Sequence, residues 1–173
     1  MSISIQTCPC QITPTSDTVS TLLAYSDCCQ PYHDDMKKAD TAERLMRTRY
    51  SAFVLVKPEY IIKTTLPAQQ ALLDIKAIEV WAKENDWAGL KIVKHTPKIG
   101  KNHAQVEFKA HFNTPDGLQA HHELSVFVKI KNKAANNASW YFLDPTVSMS
   151  VTQKQPCICG SREKFKRCCG VYI

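Results

Sequence analysis

The chain has 173 residues, of which 44% are apolar and 22% charged, with a net charge of +6. That length supports one packed domain with small appendages, and no stretch reaches the roughly 18–20 apolar residues of a membrane span. The opening MSISIQTCPC has neither the basic nor the apolar region of a secretory signal, so the expectation is a cytoplasmic protein. Charge is uneven: residues 1–40 hold two lysines against five aspartates, and residues 154–173 hold five basic residues against Glu163. A modest basic excess permits, without requiring, an acidic protein or a nucleic acid as partner.

The first chemical signal is Cys8-Pro9-Cys10 followed, after a 17-residue spacer, by Cys28-Cys29. An even cysteine count invites a disulfide reading. Adjacent cysteines bridge only with strain, and no export signal accompanies them. Four soft thiolates converging on one tetrahedral cation suit zinc better. A partly bound or oxidised site is the alternative for this group. The spacer carries Leu22, Leu23 and Tyr25 and predicts a short helix over 18–25, with Asp17 as its N-cap. His33, four residues past Cys29, is a candidate replacement ligand; a hydrogen-bonding histidine is the simpler reading.

Asp40-Thr41-Ala42-Glu43 reads as a capping box opening a helix. Met46, Tyr50, Phe53 and Val54 then recur on one face at helical spacing. A second short helix, PEYIIKTTL, has Pro58 in its first turn and closes at Pro67. A third, over 68–85, carries Leu72, Ile75, Ile78, Val80 and Trp81.

The period then changes from 3.6 to 2. HAQVEFKAHFN places Ala104, Val106, Phe108, Ala110 and Phe112 on one face, with His103, Gln105, Glu107, Lys109 and His111 opposite. HHELSVFVKI alternates nearly as well, and AGLKIVKH and SWYFLDPTVSM supply two more strands. Asp116-Gly117 marks a hairpin, and KNKAANNAS a looser turn. The expected fold class is α+β: three helices packed on one face of a curved, four-stranded antiparallel meander. The alternation leaves the other face wet, with His103 and His111 on it.

The chain closes on PCICGSREKFKRCCG. Cys157, Cys159, Cys168 and Cys169 repeat the first design with eight residues between the pairs. Four protein ligands leave no open position, so the expected zinc is structural. Its double negative formal charge explains nearby Lys164, Lys166 and Arg167, with backbone N–H groups around Gly160 and Ser161 as donors. The same cations, with Arg162, are the candidate partner-binding residues.

This tail resembles the SEC-C motif, the zinc-binding tail of the translocase motor ATPase SecA. Cys157, Cys159, Gly160, Ser161, Lys164, Phe165, Lys166, Cys168 and Cys169 match its pattern; Arg162 stands where the motif has glycine. Cys8-Pro9-Cys10, Cys28-Cys29, Pro31-Tyr32, Leu45-Met46-Arg47, Arg49-Tyr50, Ala52-Phe53, Trp87, Leu90, Trp140-Tyr141 and Asp144 extend the resemblance to the YchJ-like family of bacterial proteins. Gln11-Ile12 replace the Gly-Ser expected after Cys10. The resemblance implies a nuclear-transport-factor-2-like middle domain, cone-shaped, over 37–150. Zinc knuckles flank it at 1–36 and 151–173, with one zinc each.

A cone domain holds a pocket, whose candidate residues are Arg47, Arg49, Tyr50, Tyr60 and Asp144. Proton-transfer candidates add Glu123, His95, His111 and His121, but no pair sits at motif spacing and no catalytic residue is assigned. Arg47 and Arg49 either grip an anion bidentately or pair with Asp34, Asp35 or Glu79 to dock the N-terminal segment; docking is preferred. The leading expectation is a non-catalytic zinc-binding adaptor with a protein or ribosome partner. The alternatives are nucleic-acid binding through the basic tail and a small-molecule enzyme of isomerase or dehydratase type.

Overall fold

The computed structural model describes residues 6–14 and 22–173. Most of the helix expected over 18–25 lies outside them; the described part is not helical, since Ala24 is extended and bridges Thr7, and a 3-10 turn, Tyr25–Asp27, begins only at its last residue. The period-two segments form one antiparallel sheet in the order β1 (Asp86–Thr96), β2 (His103–Thr114), β3 (Gly117–Asn132), β4 (Asn137–Leu143). The tight hairpin at Asp116-Gly117 sets Thr114 opposite Gly117. Register shifts in β1 at Trp87/Gly89 and Ile92/Lys94 bend the sheet, because a bulged strand gains twist.

Helices line one face. A single turn, α1 (Gln30–His33), precedes α2 (Ala42–Val54), α3 (Pro58–Lys63), a single-turn α4 (Pro67–Gln70) and α5 (Ile75–Glu84). Leu45, Met46 and Tyr50 of α2 share a core with Leu90, Val106, Phe108 and Phe127 of the sheet. The cap of α2 is Thr41, not Asp40: its side chain accepts from Arg44 N at 3.0 Å. Asp40 lies one residue outside, where its carbonyl accepts from Trp140 Nε1. Glu43 is thereby freed to pair with Arg47 and His95.

The third predicted helix is broken. Pro67 does not end a helix but starts α4, where its missing N–H costs nothing. Asp74 then opens α5 by accepting from Lys76 N and Ala77 N. Leu72 falls in the break and is exposed.

One sheet face does not stay wet. Residues paired across antiparallel strands share a face, so His103 and Gln105 lie with Val128 and Val126, away from the helices. There Leu66, Val126, Val128 and Leu143 are buried with Cys157, Cys159, Phe165, Cys168 and Cys169 of the tail. His103 is consequently 4% exposed rather than solvated. His111, also expected in solvent, is 9% exposed; it pairs with Gly89, where residues 12–14 cross the strand. Beyond the tail, Leu124 of β3, on the same face as His103, is 58% exposed. The alternation thus describes the sheet correctly, but two remote segments decide which polar residues get covered.

Candidate metal centres and central cavity

Each cysteine group converges. The Sγ atoms of Cys8, Cys10, Cys28 and Cys29 lie within 4.8 Å of one another, and so do those of Cys157, Cys159, Cys168 and Cys169. In the first group Cys10 lies 3.7, 3.5 and 3.6 Å from Cys8, Cys28 and Cys29. In the second, Cys159 and Cys168 are 3.5 Å apart. Tetrahedral zinc with Zn–S near 2.3 Å requires sulfurs about 3.8 Å apart, whereas a disulfide requires roughly 2.05 Å. The donor sets therefore fit zinc, and none of the cysteines is bridged.

Both centres use one backbone frame despite unequal spacers. Cys8 N donates to Leu23 O and Tyr25 N to Gln6 O; Cys157 N donates to Glu163 O and Phe165 N to Gln155 O. A 3-10 turn, Tyr25–Asp27 or Phe165–Arg167, then delivers Cys28 or Cys168. The ring at its start is Tyr25 in one and Phe165 in the other. Gly170 is required against that second ring, since a Cβ would stand 2.8 Å from Phe165.

The longer N-terminal spacer has a use that spacing did not show. Leaving Cys10, it runs over β1, where Ile12 O accepts from Leu90 N at 2.8 Å. Gly89 permits this: its φ is +143, and a Cβ there would lie 2.7 Å from Ile12 O. Gly89→Ala is expected to cost at least about 2 kcal/mol, through backbone strain plus a clash with main chain rather than a yielding side chain. A urea midpoint unchanged from wild type would refute that contact. The missing Gly-Ser is also compensated. Ser161 Oγ lies 3.3 Å from Cys168 Sγ, and in the first centre Gln11 Nε2 donates to Cys10 and Cys28 at 3.7 and 3.6 Å.

Without a cation the crowded thiols conflict. The hydrogen bond with Cys169 draws Cys159 down to about 4 and pushes Cys169 up, while burial pushes Cys168 up to about 12. In the first centre the bond with Cys10 pushes Cys29 up and draws Cys8 down. A divalent cation resolves the conflict by holding all four as thiolates.

Of the predicted donors, Ser161 hydrogen-bonds Cys159 through its backbone N–H, and its Oγ lies 3.3 Å from Cys168 Sγ. Arg162, Lys164, Lys166 and Arg167 are exposed, and none hydrogen-bonds a sulfur among the described contacts. Instead Arg44 Nη1 lies 3.8 Å from Cys28, His103 Nε2 lies 3.4 Å from Cys169, and Cys169 N donates to Cys157. His33 is no ligand: its Nε2 donates to Thr48 O and its Nδ1 accepts from Tyr25 Oη. Burial lowers its pKa, keeping the ring neutral for those two roles.

The two arginines separate. Arg47 bonds Glu43 and donates from Nη1 to Cys10 O at 3.1 Å. It thus holds the N-terminal centre through a carbonyl rather than through Asp34, Asp35 or Glu79. Asp35 pairs with Lys63 and Lys38, and Glu79 with Lys83. Arg49 turns inward, as does Tyr50, and with Asp144 they line a cavity of about 300 Å³ between helices and sheet. Glu123 and His121 line it too. Tyr60 does not; its hydroxyl donates to Thr48 Oγ1. His95 and His111 lie elsewhere, His95 beside Glu43. Glu123 bonds both Ser125 Oγ and His121 Nε2, so the carboxylate stands between hydroxyl and imidazole. That order does not place the imidazole to take a proton from Ser125.

Comparison with known proteins assigns these parts. Residues 1–37 match the N-terminal zinc-binding domain of the YchJ family, residues 41–145 the middle NTF2-like domain of YchJ, and residues 154–170 the SEC-C motif. A UPF0225 protein of Actinobacillus succinogenes is 46% identical over 166 residues, covering 96% of this chain and 97% of its own. Another, from Haemophilus influenzae, is 44% identical over 171 residues, covering 99% and 96%. The crystal structure of a SEC-C motif-containing protein from Psychrobacter arcticus superposes with a TM-score of 0.96 at 80% identity, covering 98% of both chains. The solution structure of one from Rhodopseudomonas palustris gives 0.60 at 32% identity, covering 72% of this chain and 92% of that one. Among the described residues no helix is long and apolar enough to cross a membrane. With zinc-binding segment, cone domain and SEC-C tail matched in that order, the chain belongs to the YchJ family.

Proposed function

We propose that the protein is a non-catalytic adaptor, clipped at both ends by structural zinc, that docks an acidic protein surface. The observation that carries this reading is a groove between the C-terminal knuckle and the β3–β4 hairpin, lined by Lys129, Lys131, Lys133 and Arg162. None of these cations is ion-paired among the described residues. Arg162 also sits at φ +69, a left-handed backbone that costs a non-glycine residue on the order of 1–2 kcal/mol. Strain of that kind at a surface cation is a reason to look for function.

The groove lining contains no aromatic side chain, which speaks against stacking on single-stranded nucleic acid. A rigid knuckle beside clustered cations suits carboxylates on a folded or extended protein partner. A ribosomal protein is one candidate of that chemistry.

Deleting the tail would be a poor test, because the tail covers the sheet. Charge reversal of Lys131, Lys133 and Arg162 to glutamate leaves the core alone. The triple variant is expected to lose partners captured from a lysate at physiological salt while keeping its melting temperature. Unchanged capture would refute the groove. Capture abolished by nuclease treatment would favour nucleic acid instead. Arg162→Gly separates strain from charge: it should gain about 1 kcal/mol of stability while weakening capture.

A further inference from the structure

We propose that the central cavity is a binding site for a small organic carboxylate with an apolar or aromatic body, anchored by Arg49. This goes beyond the docking reading and shares no residue with its groove.

Arg49 is 5% exposed, and no carboxylate lies within ion-pair distance of it among the described residues. Its Nη1 is committed to Ile61 O at 2.8 Å, Thr64 Oγ1 at 2.7 Å and Thr65 Oγ1 at 3.3 Å. Its guanidinium carbon stands 4.5 Å from the Phe142 ring centre, which fixes the plane. The remaining nitrogens, Nε and Nη2, have no protein acceptor among the described residues. Neither is sealed off, since the sealed polar atoms lacking partners are on His95 and His111. They therefore reach open space, and the open space that Arg49 lines is the cavity.

Burial pushes the Arg49 pKa down to about 10, so at neutral pH it keeps its charge. Asp144 and Glu123 act on it only from beyond ion-pair distance, and a ligand carboxylate on two parallel N–H donors would make the direct pair that Arg49 lacks. The acids around the cavity are already tied to their own donors. Asp74 caps α5, Asp144 accepts from Thr146 N and Oγ1, and Glu123 bonds Ser125 and His121. Arg49 is the lining's one Arg or Lys.

The rest of the wall sets the ligand's body. Phe53, Ile78, Trp81 and Phe108 make it mostly apolar. Its volume of about 300 Å³ lies at the small end of ligand cavities, roughly 300–1,000 Å³. Trp81 is 42% exposed and packs edge-on to Phe53 and Trp87, so it stands at the mouth.

The test uses the zinc-loaded full chain and a panel of benzoate, 3-phenylpropionate, indole-3-acetate and octanoate, each with its neutral amide. Binding is read by calorimetry and by indole N–H shifts. At least one acid is expected to bind and to shift the Trp81 indole. Its amide should bind at least about tenfold more weakly, the worth of a charge-assisted pair. Arg49→Met should abolish that preference. Glu123→Gln should strengthen acid binding by removing a like charge, and Trp81→Ala should weaken acid and amide alike. Should Arg49→Met not fold, the acid–amide ratio and Glu123→Gln still decide. Equal affinity for an acid and its amide, or no member bound, would overturn the proposal.

Discussion

Cys169→Ser is expected to bring the domain to the edge of unfolding, although only four residues of the sequence follow it. Serine offers a hard oxygen where zinc takes soft thiolate, so the centre loses its metal at working concentrations. Of the tail's apolar side chains, Phe165, Ile158 and Tyr172 cluster on that centre, so without it the tail is expected to come off the sheet. Leu66, Val126, Val128 and Leu143 are then exposed. Each fully buried side chain of this kind contributes about 1.5–3 kcal/mol. Uncovering the four is worth about 6–12 kcal/mol at the upper bound, against a whole-domain stability of about 5–15 kcal/mol. Urea unfolding followed by circular dichroism checks this, with exposed Lys166→Ala as a control that should move by no more than about 0.5 kcal/mol. A Cys169→Ser midpoint close to the control would mean that the tail adheres without its metal.

Cys10→Ser is expected to cost less and to fail differently. Cys10 contacts the other three sulfurs of its centre, and Arg47 reaches the carbonyl of the same residue. Losing the metal frees the segment that bonds Leu90 through Ile12 and uncovers Leu45, Met46 and Tyr50 in part. Val106, Phe108 and Phe127 keep their own packing across the sheet. The expected loss is about 3–5 kcal/mol, from partial exposure of two or three large side chains. Proteolysis should cut the N-terminal segment first. Resonances of His103 and Tyr172, whose rings pack at 4.7 Å beneath the other knuckle, should not move. Simultaneous loss of both ends would show that the two centres fold as one unit.

The two variants differ because the centres serve opposite faces of one sheet. The first shares its apolar cluster with α2 and the helix-facing residues of β1, β2 and β3; the second closes the reverse face. Each zinc, when bound, supplies rigidity to a segment too short to fold by itself.

Much of this was readable in the sequence. Period-two alternation over 103–112 located β2 and its inward residues, because a strand's faces are set by parity alone. The C-x-C and C-C pairs located both converging cysteine groups, because four thiols at such spacings have few other uses. What escaped was tertiary. His103 belongs to a polar face by parity, yet a tail more than fifty residues downstream covers it. Gly89 looked like an ordinary strand glycine until Ile12 crossed it. Gln11 replaced the serine of the motif from a different backbone position, which no pattern match detects. Asp74 was a readable signal, since an aspartate before Ile75-Lys76-Ala77 is a standard cap; apolar periodicity across 68–85 masked it. Arg47 and Arg49 are two residues apart on a helix, so their side chains diverge: of the two expected in the pocket, Arg49 lines it and Arg47 reaches the N-terminal centre instead.

That zinc holds both cysteine groups is tested most directly by elemental analysis of zinc per chain. On protein purified without chelator and dialysed against metal-free buffer, the expected value is two zincs per chain, with no thiol reacting until the metal is removed. One zinc per chain, with the remaining four cysteines reactive or disulfide-bonded, would contradict the account.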